Sequence, residues 1–198
     1  RVHQVNQGEV GGCPVRLPMV EMRTIGAGGG SIAGTDTAGG LYVGPERAGA
    51  APGPACYDRG GKRPTVTDAN VTLGRIDPLH FLGGAMRLNT TAAQQAVITD
   101  VAVPLKLDLE ETAEGITQIA VAHMASAIRL SLFEKGLDPE DFALVSFGGA
   151  GGLHACDTAA ELDIKQVIFP SDPGTLSAWG MLYADIVHDL TSAQLINA

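Results

Sequence analysis

The chain has 198 residues, 45% hydrophobic and 18% charged, a balance that supports a packed core and argues against intrinsic disorder. Thirteen Lys and Arg stand scattered against 22 Asp and Glu, a formal net charge of -9, so no basic nucleic-acid groove is expected. The longest uncharged run, Phe142 to Cys156, has 15 glycine-rich residues, short of the roughly 20 apolar residues of a membrane span, so no membrane partner is expected either.

Glycine is abundant, at 26 residues, 18 of them in the first 84 positions, without the G-X-Y period of collagen. The three cysteines, Cys13, Cys56 and Cys156, are odd in number and widely spaced, which fits free thiols and a reducing cytoplasm. No secretory signal opens the chain. It begins at Arg1 without Met and reads as a fragment or processed piece.

Along the chain, residues 1–25 carry short apolar runs broken by Pro14 and Pro18 and are expected to be extended. Residues 26–64 mix Gly and Pro with Ile, Leu, Tyr, Val and Cys, which predicts turns and close backbone approaches around a short strand at Leu41-Tyr42-Val43. A helix is expected within 65–75, capped by Thr67 or Asp68 and stopped by Gly74, and another over 91–99, capped by Thr90 or Thr91. The clearest helix runs from Leu109 to Lys135, with Ile116, Ile119, Ala120, Met124, Ala127 and Ile128 at steps of three and four. Glu110, Glu111 and Glu114 near its start and Lys135 near its end match the helix dipole, and Gly136 is its stop.

A strand over 142–147 then runs into Gly148-Gly149-Ala150-Gly151-Gly152 and a helix from Leu153 to Leu162. A second strand, Val167-Ile168-Phe169, and a final helix over 175–184 complete an α/β layout with two parallel strands. A strand, glycine loop and helix in this order suit a phosphate or nucleotide, because glycines admit a ligand to backbone N–H groups. It is neither a Walker A loop nor a clean G-x-G-x-x-G, and tight strand–helix packing is the competing reading.

The stretch TIGAGGGSIAGTDTAGGLYVGPERAGAAPGPACYDRGGKRPTVTDANVTLGR resembles the centre of the hydantoinase A / 5-oxoprolinase family. FGGAGGLHACDTAAELDIKQVIFPSDPGTLSAWGMLYADIVHD is similar to a later segment of that family, and the resemblance covers about residues 14–189. It implies an actin-like ATPase (ribonuclease H-like) fold, with this chain a partial second lobe: a Gly/Pro-rich portion over 1–90 and a helix plus adenosine-motif portion over 91–198. Phe147 to Gly151 matches the adenosine motif, and Leu176 to Ala184 the helix after it. No Asp-Xaa-Gly-Gly-Thr phosphate hairpin is present, so the chain alone is expected not to hydrolyse ATP. The resemblance further implies ATP and Mg²⁺ as cofactors, and a small cyclic amide (hydantoin or 5-oxoproline type) or a ketone as substrate. It also implies a hydantoinase B-type subunit or domain as partner. Carboxylase subunits and a non-catalytic nucleotide-binding lobe are the alternatives.

Several residues are singled out on this basis. Gly28, Gly29, Gly30 and Ser31 are expected to line a nucleotide cleft, or to form a tight turn; Gly148, Gly149, Ala150 and Gly151 are expected at the adenosine. Asp68 is a candidate to orient Mg²⁺ or water, against a helix-cap role. His154 is a candidate contact to substrate or phosphate, against a structural one. No metal ligands are assigned. Cys56 reads as a buried structural thiol rather than a nucleophile, and Asp185, His188 and Asp189 as a surface terminus.

Overall fold

The computed structural model describes residues 4–5, 8–10, 13–16 and 19–183. The chain divides into two compact units, one formed by Arg1–Thr24 with Ser177–Ala198 and one by Ile25–Leu176. In the first unit β1 (Gln4–Val5) pairs antiparallel with β4 (Met19–Val20), and β2 (Gly8–Val10) with β3 (Cys13–Val15). Among the described residues of the 1–25 stretch, the expected extended structure takes the form of these two short strand pairs.

The second unit opens with an antiparallel hairpin, β5 (Ser31–Thr35) and β6 (Leu41–Arg47). Its turn is set by Asp36, whose Oδ1 accepts the N–H groups of Ala38 and Gly40, both at 2.8 Å. β6 extends four residues beyond the expected Leu41-Tyr42-Val43.

Helix α1 (Val66–Thr72) is capped by Thr65, not by Thr67 or Asp68. Thr65 Oγ1 accepts the Asp68 N–H while Asp68 accepts the Thr65 N–H, a reciprocal capping box. Gly74, at φ +69°, ends the helix as expected.

Helix α2 (Thr90–Val97) is capped by Asn89, whose Oδ1 accepts the Ala92 N–H at 3.0 Å, rather than by Thr90 or Thr91. It does not stop at 99. A π turn over Ile98–Ala102 carries it into α3 (Val103–Leu105), and Pro104 falls at the restarted helix's opening, where a missing N–H is tolerated.

Helix α4 (Leu109–Phe133), about 37 Å long, organises the unit. Ala113, Ile116 and Ala120 pack with Ala33, Val43, Val66, Ala69, Val97 and Val101. Further along, Ala125 and Ile128 pack with Leu144, Ala159, Leu162, Ile164 and Val167. One helical stripe thus serves two hydrophobic clusters in succession, and α4, although apolar enough in length and composition to cross a membrane, is the core helix of this unit. The first cluster draws on residues from both sides of position 90, so the division of composition there is not a boundary in the packing.

The chain then forms a βαβ unit: β7 (Ala143–Val145), α5 (Ala155–Glu161) and β8 (Gln166–Ile168), with β7 and β8 parallel as expected. β7 is shorter than the expected 142–147, and a 3₁₀ turn over Gly151–Leu153 delays the start of α5 to Ala155. Helix α6 (Leu176–Tyr183) follows; its expected last residue, Ala184, lies outside the described residues.

Candidate functional site: two glycine loops brought together

The first glycine loop, residues 26–31, leads into β5 and is braced from within. Ser31 Oγ donates to the Gly26 carbonyl at 2.8 Å and accepts the Gly28 N–H at 3.0 Å, while the Ser31 N–H donates to the Gly28 carbonyl. Ser31 is fully buried, so its hydroxyl shapes the loop and does not face a ligand.

Helix α1 holds the same loop from outside. The N–H and the hydroxyl of Thr67 both donate to the Gly29 carbonyl, at 2.8 and 2.9 Å. Such contact leaves no room for a side chain: a Cβ at Gly29 would lie 2.7 Å from Thr67 Oγ1 and 3.9 Å from the Ala150 Cβ. Gly29 and Ala150 are 121 positions apart in sequence, yet the fold sets them in near contact.

The second loop, residues 148–152, leaves β7 through Gly148 at φ +89°, whose N–H donates to the Pro173 carbonyl at 2.7 Å. That backbone conformation favours glycine. Gly149 and Gly30 each face open space, with nothing within 4 Å of where a Cβ would sit. Gly151 approaches Ser146 Oγ, 3.0 Å from its own Cβ position. The two glycine loops singled out in the sequence are therefore neighbours, with open positions on each.

His154 follows the second loop. It is 2% exposed, and neither ring nitrogen has a hydrogen-bond partner among the described residues. Burial, and then the nearby Arg75 guanidinium, push its pKa below the ordinary histidine value, with Asp157 pulling the other way. In the unfolded chain the imidazole takes up its proton near pH 6.5, while in the fold it stays neutral to lower pH. Between those values the unfolded state binds more protons, so stability falls as pH drops below about 6.5. Urea unfolding of the wild type and of His154→Leu at pH 7.5 and 5.5 checks it. The variant is expected to lose less stability on acidification, whereas equal losses would show that His154 does not titrate in this way.

Asp68, singled out for metal or water, has different company. It is fully buried, and its carboxylate accepts the N–H groups of Ala55 (3.2 Å), Cys56 (2.7 Å) and Thr65 (2.9 Å) and the Thr65 hydroxyl (2.7 Å). Cys56 is fully buried beside it, and burial, with the Asp68 charge next in weight, pushes its thiol pKa far up. This is a structural thiol, as expected, not an activated nucleophile. Cys13 and Cys156 are exposed. His123, on α4, is exposed; Asp185, His188 and Asp189 lie outside the described residues. Among the described residues no group of three His, Cys, Asp or Glu could hold a metal ion.

Thr67, expected only as a candidate helix cap, instead fixes the first loop. A hydroxyl in the first turn of a helix is an ordinary local feature, and only the tertiary approach of Gly29 gives it this role.

Caprolactamase subunit alpha from Pseudomonas jessenii is 46% identical over 175 residues, covering 88% of this chain and 25% of the relative. A crystal structure of ATP-dependent caprolactamase from that organism matches with a TM-score of 0.80 over 87% of this chain and 25% of the other. The nucleotide-free structure of acetone carboxylase, from work on ATP-dependent acetone carboxylation, matches at 0.83 and 30% identity over 93% of this chain and 26% of the other. The 5-oxoprolinase of Saccharomyces cerevisiae is 36% identical over 200 residues, covering 96% of this chain and 15% of the relative. The chain thus spans about a quarter of the first of these relatives, and less of the oxoprolinase. The family model described as hydantoinase/oxoprolinase matches residues 1–190. With the two glycine loops in place and the match running through nearly every residue, this chain belongs to the hydantoinase/oxoprolinase family.

Proposed function

We propose that this chain is a nucleotide-facing part of an ATP-dependent enzyme that opens cyclic amides. The observation that carries the reading is the apposition of the 26–31 and 148–152 loops, with Gly30 and Gly149 open and Gly29 held against Ala150. A phosphate-bearing ligand fits such a place, since glycine gives it the closest approach to backbone N–H groups. In this reading the chain is a partial lobe of the actin-like ATPase kind. Residues 148–151 face the adenosine. The first loop and its β5–β6 hairpin supply the phosphate-facing backbone on this side, although no Asp-Xaa-Gly-Gly-Thr sequence is present.

ATP, when bound, would phosphorylate the amide oxygen and so open the amide carbon to attack by water, the ring C–N bond being the one that breaks, and its hydrolysis would make opening of an unstrained lactam favourable. The chain's contribution is positional. Thr67 and Ser31 fix the first loop, and Gly148 lets the second loop leave β7 at the required angle. Mg²⁺ accompanies ATP in this proposal, but among the described residues no group of three His, Cys, Asp or Glu offers it a ligand set. Asp68 takes no part in the chemistry.

A hydantoinase B-type subunit or domain is the proposed partner, in line with the subunit name of the caprolactamase relative. The second unit offers surface for further protein: Val145, Phe147, Ile168 and Phe169, on and beside β7 and β8, are each about half exposed. A carboxylase role is the second reading, favoured by the TM-score of 0.83 to acetone carboxylase.

The test is ATP hydrolysis by the intact, partnered protein, offered cyclic amides, or ketones with bicarbonate. Stimulation by an amide supports the first reading, and stimulation by ketone and bicarbonate the second. The 198-residue chain alone is expected to show no ATPase above background, and a clear rate from it would overturn the partial-lobe assignment.

A further inference from the structure

We infer that Arg47 reads the phosphates of the bound nucleotide, a role that rests on the nucleotide reading above. Arg47 ends β6 and stands opposite Ser31 across the hairpin. The next residue ties the strand to the loop, since the Ala48 N–H donates to the Gly30 carbonyl at 2.9 Å. The backbone that carries Arg47 is therefore fixed to the first glycine loop.

Its side chain turns onto that loop. The Arg47 Nη2 atom lies 3.4 Å from where a Cβ of Gly28 would be, so the guanidinium rests against the loop's rim, one residue from Gly29, which meets Ala150. Among the described residues none forms an ion pair or hydrogen bond with the Arg47 guanidinium. The adjacent carboxylate is already engaged: Glu46 accepts from Arg63 at 2.6 Å, and Arg63 also donates to the Tyr42 hydroxyl at 3.1 Å.

The result is an exposed, uncompensated guanidinium beside backbone that suits phosphate, in a chain whose formal net charge is -9. A guanidinium offers paired N–H donors that match phosphate oxygens, whereas an adenine or ribose gives it no charge to neutralise. Arg47 therefore distinguishes phosphorylated nucleotides from nucleosides.

Calorimetric titration of the intact protein with ATP, ADP and adenosine tests this in the wild type, Arg47→Gln and Arg47→Lys. Arg47→Gln is expected to weaken ATP and ADP binding about tenfold while leaving adenosine within twofold. Arg47→Lys should recover part of the loss, because it restores charge without the fork. The wild-type affinity for ATP should also fall with added salt more steeply than that of Arg47→Gln. If the glutamine variant binds ATP as tightly as the wild type, or loses ATP and adenosine equally, Arg47 does not read phosphate, and the nucleotide site stands without it. If the wild type binds none of the three ligands, the nucleotide reading itself fails and takes this assignment with it.

Discussion

Asp68→Asn is expected to destabilise the fold by about 3 kcal/mol or more, and to lower turnover only as far as it lowers the folded fraction. The sequence alone points the other way. An aspartate at a helix start reads as a cap, and Asn caps about as well as Asp. In the fold the cap is Thr65, and Asp68 is the buried acceptor for four donors from three residues, Ala55, Cys56 and Thr65. An asparagine keeps one acceptor oxygen and turns the other position into an NH₂ donor. Placed one way, that NH₂ faces the Cys56 N–H; flipped, it faces the groups now held by Oδ2. Either arrangement leaves buried donors opposed and removes the charge that strengthens the remaining bonds. For a chain of this size the loss corresponds to a fall in melting temperature of roughly 6–12 °C. A melting temperature within about 1 °C of wild type, together with a large loss of turnover per folded molecule, would restore Asp68 to the chemistry.

The same network explains why the stretch Gly53 to Gly61 is so distinctive. Gly53 (φ +79°), Asp58 (φ +56°) and Gly60 (φ +91°) all take left-handed backbone, and a Cβ on Gly61 would run into the Gly53 carbonyl. The segment folds back on itself so closely that Gly53 and Gly61 leave no room for a side chain. Its yield is the 3₁₀ turn Ala55–Tyr57, which aims two N–H groups at Asp68. This stretch is thus a backbone device that secures the start of α1, whose Thr67 in turn secures the first glycine loop.

Local signals of this fold were legible where one residue type does one job. The stripe on α4, the stop at Gly74 and the parallel β7–β8 pair all follow from spacing and from glycine. Caps were less legible, because three candidate hydroxyls or carboxyls often stand in a row and only the tertiary approach of a loop selects one. Thr65, Thr67 and Asp68 illustrate this: the first caps, the second holds Gly29, and the third gathers the 55–56 turn. The continuation of α2 through a π turn to Leu105 was hidden by Pro104, which normally argues against a helix. As for the site, both glycine loops could be read as ligand-facing, but their contact could not, since no periodicity links Gly29 to Ala150. Of the two expectations for residues 28–31, a cleft lining or a tight turn, the Ser31 hydroxyl serves the turn, since it bonds within its own loop.

Gly149→Val in the intact protein should weaken ATP binding on the order of 100-fold while changing the melting temperature by no more than about 2 °C. The two halves of this expectation have separate grounds. For the fold, Gly149 lies outside the left-handed region, and its Cβ position has no atom within 4 Å, so the backbone and the space both accept a branched side chain. Neighbouring glycines would not serve: Gly148 sits at φ +89°, and Gly29 is closed in by Thr67. For the ligand, the emptiness that makes valine harmless to the fold is the space the proposed nucleotide occupies. Its loss removes the close backbone approach that glycine alone permits. Gly149→Ala provides the graded control, since a single methyl should cost ATP affinity less than valine does. A valine variant that melts like the wild type and binds ATP as tightly would place the adenosine elsewhere, whereas a collapse in melting temperature would mean that the open face of this loop is covered by protein.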